Sequence, residues 1–260
     1  MIKPDYVAVY EFQSPVDINP VILSPAEDFL LISDGKASRF LTANAQFNDS
    51  MKHNFAVRNP GINNPTSQEQ VQEVFEKYRA ESSRWKKKEN SKYEVLKSFG
   101  EGLVKNKLFP QFPYQHLEFP FLNSWQIQDT FATIAGLDCQ RATIHYGGRD
   151  YTAWFAPGVP VADGPYVFCG LPGLIVEVAD RRGWYTFRLK SLNLKPEKRF
   201  FKDDFINPNS QQISRESYVS QTEKFKRDPR MFGERNVSEE FLLRKRREYA
   251  SQYHLLIERL

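Results

Sequence analysis

Val167-Phe168-Cys169-Gly170-Leu171-Pro172-Gly173-Leu174-Ile175-Val176-Glu177-Val178 joins the most apolar run of the chain to its most constrained turn. Pro172 holds φ at about −65°. Gly173 opens positive φ, so residues 171–174 read as a type II reversal. Beyond the turn, Leu174, Val176 and Val178 alternate with Ile175 and Glu177, which predicts a mostly buried strand with the first three on one face. A buried strand entered through so tight a turn points to a core built on a sheet.

Outward from that strand the pattern stays β. Downstream, Arg181-Arg182-Gly183 separates it from Trp184-Tyr185-Thr186-Phe187-Arg188-Leu189, a hairpin. Upstream, 139–146 and 151–156 flank Gly147-Gly148, a second hairpin, and the whole of 125–194 reads as an antiparallel meander. The N-terminal part adds a strand over 6–12 and a hairpin about Asp34-Gly35 between 29–32 and 37–41. Residues 42–65, rich in Asn and broken by Pro60-Gly61 and Pro65, read as a surface loop.

One helix stands out in the middle. Val71, Val74, Phe75 and Tyr78 recur at helical spacing after Ser67, which predicts a helix within about 67–88 that runs into Lys86-Lys87-Lys88, a solvated end. Pro110, Pro113 and Pro120 confine 103–121 to edge strand or extended arm. Past residue 199 the periodicity fades into a polar arm. Asn236 with Glu239 then opens a helix whose apolar face carries Phe241, Tyr249, Tyr253, Leu256 and Ile257 and whose other face is basic through Arg244, Lys245, Arg246 and Arg247. The expected architecture is α+β: a curved antiparallel sheet covered by one or two helices. A core unit spans 1–199, and an extended arm with a basic amphipathic helix spans 200–260.

Composition agrees with one sizeable core. The chain has 260 residues, 40% of them hydrophobic, and its 21 Phe and 12 Tyr favour sheet surfaces over a helical bundle. A formal charge of +4 neither requires nor favours nucleic acid. There is no transmembrane run. The start of the chain lacks the apolar segment of a signal peptide, so the expectation is either a cytoplasmic protein or a form without its signal.

The central residues also carry a resemblance. Trp125 and Ile127, Gly136 before Cys139, Arg141-Ala142, Gly148-Arg149, Ala153-Trp154-Phe155, Val159-Pro160, Gly164-Pro165, Phe168 and the run Gly170-Leu171-Pro172-Gly173-Leu174-Ile175 resemble the signature of the GLPGLI family of Bacteroidota. The hexapeptide that names that family stands unaltered, and Ser38-Arg39-Phe40 is similar to its Ser-x-Phe element. The resemblance implies an exported protein of the periplasm or cell envelope. It also implies a setting beside outer-membrane β-barrel proteins or TonB-dependent transporters, without a settled activity. The helix after Ser67 and the C-terminal helix lie outside it.

Candidate chemistry is sparse. Cys139 and Cys169 either form a disulfide, which in an oxidising compartment contributes about 3–4 kcal/mol, or remain two buried thiols. Neither has a C-x-x-C partner, so no metal site and no cofactor is expected. His145 is the best acid or base, with Asp150 or Asp163 as a possible orienting carboxylate, but no nucleophile motif accompanies it. Arg149, Trp154 and Leu171 form a candidate binding surface if the Pro-Gly turn displays Leu171; otherwise they pack inward. The C-terminal helix packs on its own sheet, docks on a partner or lies on an anionic membrane surface. The leading expectation is a non-enzymatic accessory to an outer-membrane β-barrel or transporter. The alternative is a carrier of an apolar lipid or peptide in the concavity of the sheet.

Overall fold

The computed structural model describes residues 4–18, 20–59, 67–88, 94–99, 103–107, 115–118 and 124–197, with a few positions between 214 and 243. In order these are β1 (Tyr6–Gln13), β2 (Pro15–Ile18), β3 (Val21–Leu23), β4 (Glu27–Ser33), β5 (Ala37–Thr42), α1 (Ala43–Arg58) and α2 (Gln68–Trp85). There follow β6 (Glu94–Ser98), β7 (Leu103–Lys107), β8 (Gln115–Glu118), β9 (Gln126–Ile134), β10 (Leu137–Tyr146), β11 (Arg149–Ala156), β12 (Leu174–Asp180) and β13 (Thr186–Asn193). Among the described residues, eleven strands form one curved, open antiparallel sheet in the order β8-β7-β6-β5-β4-β1-β13-β12-β11-β10-β9, and β2 pairs with β3 alone. Strand β1 lies between β4 and β13, so the first strand of the chain joins the N-terminal meander to the one that ends with β13.

Turn chemistry explains the hairpins. Gly35 has φ 77°, and Asp34 Oδ1 accepts from Lys36 N at 3.1 Å and Ala37 N at 3.0 Å. Gly147 and Gly148 have φ of 57° and 69°, the double positive φ of a two-residue turn whose twist suits the strands.

The two faces of the sheet are covered differently. On one, Tyr10, Phe12, Phe29, Phe40, Phe155, Val176, Val178 and Phe187 are buried. Phe12 and Phe187 are cross-strand partners and stack at 4.5 Å; Phe29 and Phe40 stack at 4.8 Å. The cover on this face is the connection from β11 to β12, residues 157–173. It contributes Val159, Tyr166, Val167, Phe168, Cys169 and Leu171 to the same core, and Tyr166 stacks on Phe187 at 6.1 Å. The opposite face of β1, β4 and β5 carries Val7, Ile32 and Leu41, with Ala45 of α1 packed beside them.

Helix α1 corrects the reading of 42–65 as loop. Thr42 accepts from Ala45 N at 2.9 Å and caps the helix, and Phe55 is buried. Asn48 accepts from Lys87 N at 2.8 Å and donates to Lys87 O at 2.9 Å, fastening the chain beyond α2 to α1. Tertiary docking overrides a weak helical pattern here. The helix expected within 67–88 is α2. It lies on α1, through Phe55 against Tyr78 at 5.3 Å and Arg58 paired with Glu81, so α1 is the element next to the sheet. The predicted arm and helix of 200–260 lie largely outside the described residues.

Strand β12 and the turn before it depart from the sequence expectation in two ways. The turn is closed by Gly173 N donating to Leu171 O at 2.8 Å, a three-residue turn about Pro172, and not by the four-residue type II geometry. In the β11–β12 pairing Trp154 faces Glu177 and Phe155 faces Ile175, so Val176 is a bulge. The extra residue shifts the alternation, and Ile175 joins Val178 on the core side instead of facing away.

Close approach makes two glycines specific. A Cβ on Gly173 would stand 2.3 Å from Ala156 O, and one on Gly164 would stand 2.7 Å from Ile175 Cβ and 2.9 Å from Phe168 O. Gly136, at φ +76°, has nothing within 4 Å of a Cβ. Gly173→Ala and Gly164→Ala are therefore expected to lower stability by about 1–3 kcal/mol in urea unfolding. Gly136→Ala carries only the conformational cost of about 1 kcal/mol. Equal losses in all three variants would refute the tight packing of loop 157–173.

Candidate functional site

Lys97 enters the core from β6. It shares a face with Val95 at two-residue spacing, and both side chains have no solvent exposure. Its Nζ meets Asp163 Oδ1 and donates to Gly164 O. Asp163 is likewise buried in the loop; its Oδ2 accepts from Tyr6 Oη at 2.7 Å, and its Oδ1 accepts from Gly164 N at 2.8 Å. Its backbone carbonyl accepts from Ile175 N at 2.9 Å, while Ile175 O accepts from Tyr10 Oη at 2.7 Å. One residue thus gathers β6 and β1 through its carboxylate and the start of β12 through its carbonyl.

The junction shifts its neighbours in one direction. Burial, and then the Asp163 charge, hold the Tyr6 and Tyr10 phenols protonated well above the usual tyrosine range. Burial pushes the Cys169 thiol up to about 12, with Lys97 opposing and Asp163 reinforcing. An amine, a carboxylate, two phenols and a thiol are all closed off from water. That composition suits a structural junction, because chemistry on an outside substrate needs an accessible group.

A second ionic knot lies toward α1. Arg39 of β5 is buried, pairs with Glu94 of β6 and reaches Asp49 of α1 at 2.8 Å. Burial pulls its pKa down, but Glu94 and then Asp49 outweigh it and the net shift is upward. Its neighbours Ser38 and Phe40 are buried too, so the Ser38-Arg39-Phe40 element serves packing and this helix–sheet link.

The residues singled out from sequence fall in separate places. Leu171 is 1% exposed, so the Pro-Gly turn does not display it; the turn folds the side chain into the core. Arg149 is buried, 3.6 Å from Asp180 Oδ2 and 4.5 Å from the Tyr185 ring. Trp154 is half-buried against the core. The three do not make a shared surface. Cys139 and Cys169 are buried free thiols, which excludes the disulfide in this structure. The Cys139 thiol turns to Leu137 O at 3.3 Å, while Cys169 sits in loop 157–173 with its carbonyl taken by Trp125 Nε1 at 2.9 Å. His145 Nδ1 does meet a carboxylate, Asp150 Oδ1 at 2.7 Å, but the two are 68% and 62% exposed on the outer face of a hairpin. Asp163 is committed to the buried junction instead. Phe241, Tyr249, Tyr253, Leu256 and Ile257 lie outside the described residues.

Gly170 and the residues after it have a plain structural task. Gly170 N donates to Ala162 O at 3.1 Å and Leu174 N to Val159 O at 3.1 Å, so residues 170–175 zip the returning arm of the loop onto its outgoing arm. Lys97 escaped the sequence reading, and Asp163 entered it only as a partner for His145. The available signal was a lysine in phase with Val95, but Leu96 made the opposite phase equally apolar, and Asp163-Gly164 resembles an ordinary surface turn.

Residues 142–177 match a family model described as a protein of unknown function, Porph_ging, associated with Bacteroidota. The match runs from the middle of β10 through β11 and loop 157–173 into β12. No curated protein matches in sequence. Among solved structures, PNGF-II in space group P21 aligns with a TM-score of 0.51 at 12% identity, covering 86% of this chain and 34% of that one. PNGF-II in space group C2 aligns at 0.50 and 11%, covering 85% and 33%. The likeness is one of fold, and this chain spans about a third of the PNGF-II chain. Among the described residues no group of three or more His, Cys, Asp or Glu could hold a metal ion, and no helix is long and apolar enough to cross a membrane.

The raised thiol and phenols set an alkaline limit. Between the ordinary thiol value of 9.0 and about 12, the unfolded chain loses the Cys169 proton while the folded chain keeps it, so stability falls as pH rises through that window. Each such proton contributes a slope of up to about 1.4 kcal/mol per pH unit. Urea unfolding from pH 8 upward is expected to show the decline beginning near 9.0; Cys169→Ala makes it shallower there, leaving the raised Cys139 thiol, and Tyr6 and Tyr10 steepen it above 10.0. A flat profile through pH 11 would contradict the buried, protonated junction.

Proposed function

We propose that this chain is a non-enzymatic protein of the periplasmic cell envelope that docks on an outer-membrane β-barrel protein or a TonB-dependent transporter. One observation carries the reading: the face of the sheet that a carrier would use is occupied by the chain's own loop 157–173, whose Tyr166, Val167, Phe168, Cys169 and Leu171 are at most 1% exposed. That filling weighs against the apolar-ligand carrier. What remains for recognition is the outer surface and the open end of the sheet. Strand β9 ends the strand order, bonds to β10 alone among the described residues, and presents Ile127 at 49% and Phe131 at 67% exposure. Such an edge, with no Lys or Pro to guard it, suits pairing with a strand of a partner.

The match of 142–177 to a family associated with Bacteroidota supports an envelope setting, and the fuller GLPGLI resemblance adds the neighbourhood of barrels and transporters. The arm and basic helix expected from the sequence of 200–260 supply a second contact in this reading. His145 and Asp150 act as an exposed cross-strand pair and not as a base with its orienter.

The test is crosslinked affinity purification of the full chain from its native envelope, beside an Ile127→Asp, Phe131→Asp double variant. The expected result is recovery of an identified outer-membrane barrel or transporter with the native chain, reduced at least tenfold with the variant, a loss equal to about 1.4 kcal/mol. Recovery of no barrel, or a lipid or peptide retained in native mass spectrometry, would overturn the proposal.

A further inference from the structure

Two reactive partners sit in contact where water does not reach. Lys97 Nζ lies against Asp163 Oδ1, and the two side chains are 0% and 1% exposed. Holding an ammonium and a carboxylate in such a place carries a desolvation cost for each ion. An amide between them would remove both charges. Around the pair the structure supplies the remaining parts of a condensation. Gly164 N–H donates to Oδ1 at 2.8 Å, where negative charge would gather on attack, and Tyr6 O–H donates to Oδ2 at 2.7 Å, the oxygen free to depart. The Gly164 carbonyl accepts from Nζ and holds the amine in place.

We propose that Lys97 and Asp163 are joined by an intramolecular isopeptide bond, formed by the folded chain without any added cofactor. The ammonium passes one proton to the carboxylate, and the neutral amine attacks Cγ. The new Cγ–Nζ bond forms as the Cγ–Oδ2 bond breaks. Oδ2 leaves as water with two protons, the one first passed to the carboxyl group and one from the Tyr6 hydroxyl, and the proton shed by the attacking nitrogen restores that hydroxyl. Three ammonium protons are thereby accounted for, one on the amide and two on the released water, and nothing is oxidised or reduced. Fixed contact between amine and carboxyl makes the step unimolecular, which replaces a large effective concentration of reactant. The bond would fasten strand β6 to loop 157–173 across the core.

Intact mass spectrometry of the full-length folded protein, with tryptic mapping, tests the proposal. The expected mass is lighter than the sequence mass by one water in most molecules. The digest is expected to contain a branched peptide joining the Lys97 and Asp163 segments, with no cleavage after Lys97. Lys97→Arg returns the full sequence mass. The Asp163-Gly164 pair could also lose water as a cyclic imide, but that product leaves Lys97 cleavable and yields no branched peptide. Either that pattern or an unmodified full-mass protein would overturn the proposal, and both readings are made on the native chain, so they do not depend on a variant folding.

Discussion

The contact of Lys97 with Asp163 is the constraint on which the rest of the core depends. A buried carboxylate without its cation, or a buried ammonium without its anion, costs several kcal/mol. The pair therefore permits one seat for loop 157–173: the seat that puts Asp163 over β6 with Tyr6 of β1 on its other oxygen. An apolar pair of the same size would tolerate sliding. The charged pair present before any amide forms, with directed hydrogen bonds from Gly164 and Tyr6, does not.

From that seat the other features follow as conditions of fit. With Asp163 fixed, its carbonyl meets Ile175 N, and the bulge at Val176 is what turns Ile175 toward the loop. Gly164 is then pressed on Ile175 and Gly173 on Ala156, so neither position has room for a Cβ. Tyr166, at φ 52°, sits in a conformation seldom adopted by a residue with a side chain, held there as its ring stacks on Phe187. The motif at 170–175 is therefore the clasp of an internal plug. A sheet that in outline resembles a cradle for a ligand is closed by its own chain.

Much of this was legible in the sequence where local chemistry and global fold agree. Asp34-Gly35, Gly147-Gly148 and the alternation of β1 specify hairpins and faces without help from distant residues. Helix α1 was hidden because Asn44, Asn48 and Asn54 speak for a loop, and its cap at Thr42 and its packing against β4 and β5 decide the matter only in three dimensions. The bulge was hidden because a period of two has no mark for an inserted residue. Leu171 was open to display or burial until the loop was seen to fold inward. Lys97 and Asp163 lie 66 residues apart in the sequence. Lys97 alone has an ordinary surface reading and Asp163 alone suggested a partner for His145; only their meeting gives them this role.

PNGF-II shares this fold at 12% identity, and in this chain the plug of residues 157–173 closes the sheet. Hydrogen exchange of the native protein, read amide by amide, tests that claim most directly. If loop 157–173 is an integral plug, the amides of Gly170, Leu174 and Ile175 exchange as slowly as the central amides of β12 and β11, through global unfolding. If they exchange orders of magnitude faster than those strands, the loop opens on its own, and the account of a core locked by Lys97 and Asp163 is wrong.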